Sequence, residues 1–302
     1  MPSTREMRLR IRSVKNLAQV TRALETVSAS RVRKAIQANN ATMPYAEKAW
    51  KVLIHLARQP GRDVLHPLLR QRDRVDRILV IMVSSDRGLA GAYNMNITRH
   101  TLSEFDRAGV PVDYVTVGRK GRELLVRKKK NVVAAFVDLP SPPSFNDVAA
   151  IGQLVVDDYL KDVYDQVFIT YTHFRNMIRQ EPVTQKLLPL TVIDKEHAKP
   201  GDLSATHRTS SIFTYEPDQN EVLENVVPHF TAIQIYKAIL SAQASEHAAR
   251  MVAMRNATES ANELVQSLQL EYNKLRQSII TNEMLDIAGG ANALQNDERG
   301  VG

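Results

Sequence analysis

Ser84-Ser85-Asp86-Arg87-Gly88-Leu89-Ala90-Gly91 follows an apolar run and leads into a helical pattern, the place where α/β proteins often hold a nucleotide phosphate. Its glycines are spaced G-x-x-G. A phosphate cradle needs several backbone N–H groups converging on one anion, as G-x-G-x-x-G or G-x-x-x-x-G-K-[ST] provides, and neither pattern occurs in the chain. The residues favour a tight strand-to-helix turn in which Asp86 and Arg87 cap or pair locally. Eight histidines are scattered without metal-ligand spacing, and no H-E-x-x-H or nucleophile-elbow motif is present. His247, next to Glu246 in a helical stretch, reads as a polar edge rather than an acid–base couple. Cysteine is absent, which excludes thiol catalysis, disulfides and Cys-zinc sites. The reading is of no enzyme active site, no cofactor and no metal.

The elements that would have to position any such residues are unusual. Asp218 to Ala288 contains no glycine and only Pro228 as a proline, with apolar residues at three- and four-residue steps. At 1.5 Å per residue this stretch would make a helix of roughly 105 Å. Its seam runs from Leu223 through Val226, Phe230, Ile233, Tyr236, Leu240, Ala244, Ala248, Met251, Met254, Ala261, Leu264, Leu268, Tyr272 and Leu275 to Ile279, a coiled-coil pattern. At the other end, Ser3 to Arg58 also lacks glycine. Ser3 and Glu6 form a capping box that starts a helix, Pro60-Gly61 stops it, and the best apolar steps are Leu17, Val20, Leu24 and Val27. Residues 1–58 hold twelve Lys/Arg against three Asp/Glu (+9), whereas 218–288 hold five against nine (−4). The two helices are therefore expected to wind together, the seam supplying stability and the charges partner choice.

Between them lie short β-rich runs alternating with helices. Strands are expected at Ile78–Ser84, Val112–Val117, Asn131–Val137, Gln166–Thr172 and Val183–Val192, and helices at Ala92–Ala108, Arg119–Lys129 and Ser144–Leu160. The last two strands read as antiparallel neighbours joined through Asn176–Pro182. Residues 196–216 read as a loop followed by a short extended piece, Ser211–Tyr215. The expected fold is α/β plus a long antiparallel coiled coil, with a small Rossmann-like module inserted between the helices. Its parts are a shaft helix over 1–60, an α/β foot over 61–217, a second shaft helix over 218–293 and a tail over 294–302.

With 43% hydrophobic and 24% charged residues, the composition is that of a soluble globular protein. No purely apolar run is longer than Ile78–Val83, which is far too short for a bilayer span. Polar and basic residues follow Met1 with no apolar signal core, and Glu6 argues against a cleaved transit peptide. A formal charge of +7 invites a nucleic-acid reading, but aromatics are only 6% and form no stacking platform, so nucleic acid is not expected as a partner. A face docking on acidic protein fits better. Ile279, Ile280, Met284, Leu285 and Ile287 spread over more than half the circumference of the helix. Such a tip either packs on the basic helix and its own folded-back tail or sits in an apolar socket made by other chains.

Three blocks carry a family resemblance: Ile11–Asn16 running on to Val27–Arg33; Met82–Asn94; and Ala244–Met254 with the terminal Ile280–Ala291. In these the chain resembles the gamma subunit of F-type ATP synthases. The resemblance implies a central rotor shaft inside an alpha3beta3 hexamer, a foot on the epsilon subunit and the c-ring, membrane contact only through that ring, no catalysis of its own, and a place on the cytoplasmic face of a bacterial plasma membrane. It also implies partner-binding roles. Arg276 and Gln277 match the pair that hydrogen-bonds a beta-subunit loop; Leu24, Arg31, Arg33 and Lys34 match the region near the acidic lever of beta; and Ile279, Ile280, Met284, Leu285 and Ile287 match the tip in its socket. Ala90 stands where many relatives have cysteine and no cysteine-bearing insertion exists, so thiol switching is not implied. Leu294–Gly302 runs past the family's usual end. The readings from other classes are a coiled-coil scaffold or tether with a Rossmann-like head, and an α/β enzyme using the Ser84–Gly91 turn.

Overall fold

A computed structural model describes residues 3–57, 67–72, 74–190 and 219–299, with the side chains of 50–57, 219–225 and 290–299 left outside the description. Pro60-Gly61, the 196–216 loop with Ser211–Tyr215, and the Leu223 side chain fall outside it. The elements in order are α1 (Thr4–Ala57), β1 (Ile78–Val83), α2 (Tyr93–Phe105), β2 (Val112–Val117), α3 (Arg119–Arg127), β3 (Asn131–Phe136), α4 (Phe145–Leu160), β4 (Gln166–Phe174), β5 (Gln180–Leu188) and α5 (Gln219–Arg299). They form two compact units, Met1–Val27 with Val252–Gly302, and Ser28–Met251; α1 and α5 contribute to both.

In the first unit α1 and α5 pair antiparallel. Arg8 bonds Tyr272, Thr21 bonds Thr258 at 2.7 Å and Glu25 faces Arg255 at 3.6 Å, so partner numbers fall on one helix as they rise on the other. The α1 face that packs is not the one the apolar steps indicate. Leu17, Val20 and Val27 are exposed, while Met7, Ile11, Ala18 and Thr21 are buried. With the half-buried Val14 and Glu25, these positions alternate by four and three, a heptad seam, and the repeat continues on α1 into the second unit as Ser28, Val32 and Ala35. Small residues fill much of that seam, so a search for bulky side chains selects the opposite stripe. On α5 Val265 rather than Leu264 joins Leu268, Tyr272 and Leu275 around Met7 and Ile11. Leu264 is exposed. Among the described residues of this unit one ion pair joins the two helices, Glu25–Arg255, with the signs reversed relative to the net charges of the two helices.

The second unit is a five-stranded sheet of order β3-β2-β1-β4-β5, parallel except for β5, which pairs antiparallel with β4. Every residue of β1 is buried, as a central parallel strand covered on both faces must be. One face carries Val80, Met82 and Tyr114 against Ile97, Phe105 and Leu125. The other carries Leu79, Ile81 and Val115 against Ile151 and Val155 of α4, and against Val227, Phe230, Ile235, Ile239 and Ala242 of α5. This part of α5 is therefore a layer of the α/β sandwich rather than only one side of a coiled coil, and its burial goes well beyond a two-position stripe. Gly152 allows that packing, since a Cβ there would lie 2.8 Å from that of Ala232.

Boundaries differ where side chains finish elements. The β4–β5 connection is shorter than Asn176–Pro182, because Asn176 accepts the N–H groups of Ile178 and Arg179 and tightens the turn. Pro182 then lies within β5, an edge strand that tolerates a missing donor. α4 starts on a full capping box between Ser144 and Asp147. α5 runs on through Gly289-Gly290 to Arg299, so most of the expected tail is helical.

Candidate partner-binding faces and the clamp between the sequence motifs

Ser84–Gly91 lies at the carboxyl end of β1. Beside it is the point where strand order reverses between β1 and β4, which in open α/β sheets is the ligand crevice. Here α5 fills that place. Ser245 donates to the carbonyl of Thr172 at 2.9 Å, Ser241 Oγ accepts the N–H of Phe174 at 3.0 Å, and Tyr93 donates to the carbonyl of Ala242 at 3.1 Å. Burial pushes the Tyr93 phenol far up, which keeps it a donor.

The turn itself has the wrong polarity for a phosphate. Its carbonyls, not its N–H groups, point at a charged partner: Arg250 donates to Arg87 O and Gly88 O at 3.2–3.3 Å. The same guanidinium pairs with Glu246 at 2.7 Å and donates to His247 Nδ1 at 3.1 Å. An arginine can only donate, so His247 Nδ1 must accept and the proton sits on Nε2, 2.8 Å from Ser141 Oγ. Glu246, His247 and Arg250 therefore form a clamp rather than a polar edge of the seam. His247 and Arg250 are buried, and Glu246 lies almost wholly within the protein.

Asp86 has a reach its neighbours in sequence do not suggest. Its Oδ1 accepts the N–H of Arg119, the first residue of α3, at 3.0 Å, and its Oδ2 that of Asp138 at 3.1 Å. Capping is thus not local: Asp86 ties the β1 turn to the start of α3 and to the segment after β3. Ser84 adds a bond from Gly121 N at 2.9 Å. Gly91 and Leu89 both take positive φ, 57° and 63°, and the fixed carbonyls of the turn leave Arg87 and Leu89 pointing outward.

The clamp sets a pH dependence. Burial, Arg250 and Arg31 hold the His247 imidazole down to about 4. An unfolded histidine takes its proton near 6.5. Between these values the unfolded chain binds more protons, so stability is complete above about 6.5 and falls as pH drops toward 4, by up to about 3 kcal/mol. Glu246, whose carboxyl is held up by burial, acts in the opposite sense over its own range. The test is therefore a comparison: urea unfolding between pH 7 and pH 4.5 should lose stability more steeply for the natural chain than for His247→Gln. Equal slopes would remove His247 from the clamp.

The expected partner-binding residues are outward-facing with one exception. Arg31, Arg33 and Lys34 are exposed on α1, Arg31 close enough to Glu246 and His247 to influence both; Leu24 is half-buried. Arg276 and Gln277 are exposed on α5. Ile279, Ile280, Met284, Leu285 and Ile287 are between 38% and 74% exposed; α1 begins at Thr4, and its Arg8 is the residue that reaches Tyr272. No described helix is long and apolar enough to cross a membrane, and the described residues hold no cluster of metal-ligating side chains.

Sequence reading missed Asp86 and Arg250 as structural hubs. The available signal was Glu246-His247-x-x-Arg250 set among alanines and serines, charged residues where every neighbour is small enough for close packing.

The ATP synthase family model matches residues 3–294. The ATP synthase gamma chain of Roseiflexus castenholzii is 43% identical over 298 residues, covering 97% of this chain and 99% of that protein. That of Dehalococcoides mccartyi strain 195 is 42% identical over 295 residues, covering 97% and 100%. Among solved structures, a chain of the Euglena gracilis mitochondrial ATP synthase (OSCP/F1/c-ring) shares the fold with a TM-score of 0.67 at 18% identity, covering 98% of this chain and 95% of that one. A chain from the central stalk and c-ring of the Tetrahymena thermophila enzyme gives 0.59 at 22%, covering 79% and 99%. With two of the three motif blocks meeting in one clamp and gamma chains matched over 97% of its residues, this chain belongs to the ATP synthase gamma chain family.

Proposed function

We propose that this chain is the central rotor shaft of an F-type ATP synthase. The α1–α5 pair turns inside an alpha3beta3 hexamer, and the α/β module is the foot that binds the epsilon subunit and the c-ring. It couples rotation of the ring to the cycling of the beta sites. It carries no catalysis itself, and it sits as a peripheral subunit on the cytoplasmic face of a bacterial plasma membrane. The observation that carries the reading is the uncovered apolar end of α5, Ile279 to Ile287, on a chain matched over 97% of its length by gamma chains. An apolar surface of that kind calls for burial by other chains, and contacts without directional bonds let it turn there with a low barrier.

The filled crevice argues against the enzyme reading, because α5 and Arg250 occupy the place a nucleotide would take. The basic Arg31, Arg33 and Lys34 suit the acidic lever of beta, beside Leu24. Leu17, Val20 and Val27 give α1 an outward apolar stripe for the same stator. Arg276 and Gln277 act as angle-dependent catches on a beta loop. Co-expression with alpha and beta subunits from the same source tests the whole reading. A hexamer that takes up one copy and gains steady ATPase turnover supports it, and a chain that elutes alone without effect overturns it. For the catch, Arg276→Ala should lower gradient-driven synthesis several-fold while changing the stability of the chain by less than about 0.5 kcal/mol, since the side chain is exposed. Unchanged synthesis and hydrolysis would remove Arg276 from that role.

A further inference from the structure

Next to the clamp is a cavity of about 30 Å³ lined by Ser84, Asp86, Gly118, Gln243 and Glu246, with apolar walls from Val83, Leu139 and Ile239. Most of its polar atoms are acceptors. Gln243 Nε2 donates to the carbonyl of Pro140 at 2.9 Å, which fixes the amide orientation: a flipped amide would set oxygen against oxygen. Gln243 Oε1 therefore faces inward, fully buried and without a partner. Glu246 uses Oε1 for Arg250. Both oxygens of Asp86 already accept backbone N–H groups, and the Ser84 hydroxyl donates to Val117 O or Gly118 O while accepting from Gly121. The carboxylates, the hydroxyl and the amide oxygen of this lining are thus acceptors, and of its side-chain donors only the second N–H of the Gln243 amide is left over.

We propose that this cavity is a binding site for one water molecule, which donates one hydrogen bond to Gln243 Oε1 and the other to the Glu246 carboxylate. The volume suits a single water, and two acceptors match its two protons. Gln243 and Glu246 lie three residues apart on one face of α5, so one small molecule reaches both. A buried amide oxygen left without a donor is costly, and water is the smallest species that satisfies it together with a carboxylate. The water extends the clamp from the Ser84–Gly91 turn to Pro140, through Gln243 Nε2 on the other side of the same amide.

The inference concerns the chain's own interior and stands whether or not the rotor reading holds. A density map at better than about 2 Å, from the chain purified with its partner subunits, should show a peak roughly 2.6–3.2 Å from both Gln243 Oε1 and a Glu246 oxygen. In Gln243→Met that peak should vanish. Three results would overturn the proposal: an empty cavity; the Glu246 carboxyl in direct hydrogen-bond contact with Gln243 Oε1; or a peak with five or more oxygen neighbours at roughly 2.3–2.5 Å, which marks a metal cation. A peak that persists unmoved in Gln243→Met would also overturn it.

Discussion

Arg250→Leu should destabilise the α/β module by about 3–5 kcal/mol, measured as the loss of unfolding free energy in urea at pH 7. Arg250 is 9% exposed, and its guanidinium serves Glu246, His247 and two carbonyls of the Arg87–Gly88 turn at once. Leucine fills much of the space but leaves a buried carboxylate unpaired and two turn carbonyls without donors. Protonation of Glu246, already favoured by burial, limits the loss, so the deficit should shrink as pH falls below neutrality. Arg250→Lys should recover part of the stability, because lysine keeps the charge but not the planar fork that spans four acceptors. A leucine variant within 1 kcal/mol of the natural chain would show that the clamp is ornamental to folding. Because the turn and α5 come from separate sequence motifs, the same variant should also be taken up poorly by co-expressed alpha and beta subunits.

Gly118→Ala is expected to cost about 3 kcal/mol or more, in contrast to Gly109→Ala at about 1–2 kcal/mol. Both glycines have positive φ, 101° and 72°, so both replacements strain the backbone. They differ in what the new methyl meets. At Gly109 it meets nothing within 4 Å; at Gly118 it would lie 2.4 Å from the carbonyl oxygen of Ser84. That oxygen is backbone at the end of the central strand, held by the ladder from β1 to β2, and cannot swing aside. The Gly118→Ala chain should therefore lose both stability and the start of α3, visible as a lower thermal midpoint and reduced helix signal. Equal midpoints for the two variants would mean that the Ser84–Gly118 approach relaxes freely.

The elements that announced themselves were those whose local signals agreed with their surroundings. β2 has its expected ends at Val112 and Val117, because Pro111 precedes it and Gly118 follows. The antiparallel pairing of the terminal helices followed from their length and lack of glycine. The packing face of α1 did not follow, because close helix approach selects Ala18, Thr21 and Ser28, and a count of large apolar residues points at Leu17 and Val20 on the outside. The double role of α5 was legible only in part: its N-terminal half is apolar on several sides, as a sheet-covering helix must be, yet a seam can be drawn through the same residues. Asp86 was hardest to read. Its partners lie 33 and 52 residues away, and only the parallel order β3-β2-β1 brings the ends of those strands together.

The helix lodged in the sheet's crevice also makes a keyed joint. For the module to slip around the axis of α5, the bonds from Ser245 to Thr172, Phe174 to Ser241, Tyr93 to Ala242 and Arg250 to Gly88 must shear together. At roughly 0.5–1.5 kcal/mol each, these four alone amount to about 2–6 kcal/mol, several times thermal energy, before the packing of Ile235, Ile239 and Ala242 is included. A twist applied to either the module or this length of helix is therefore passed to the other without backlash.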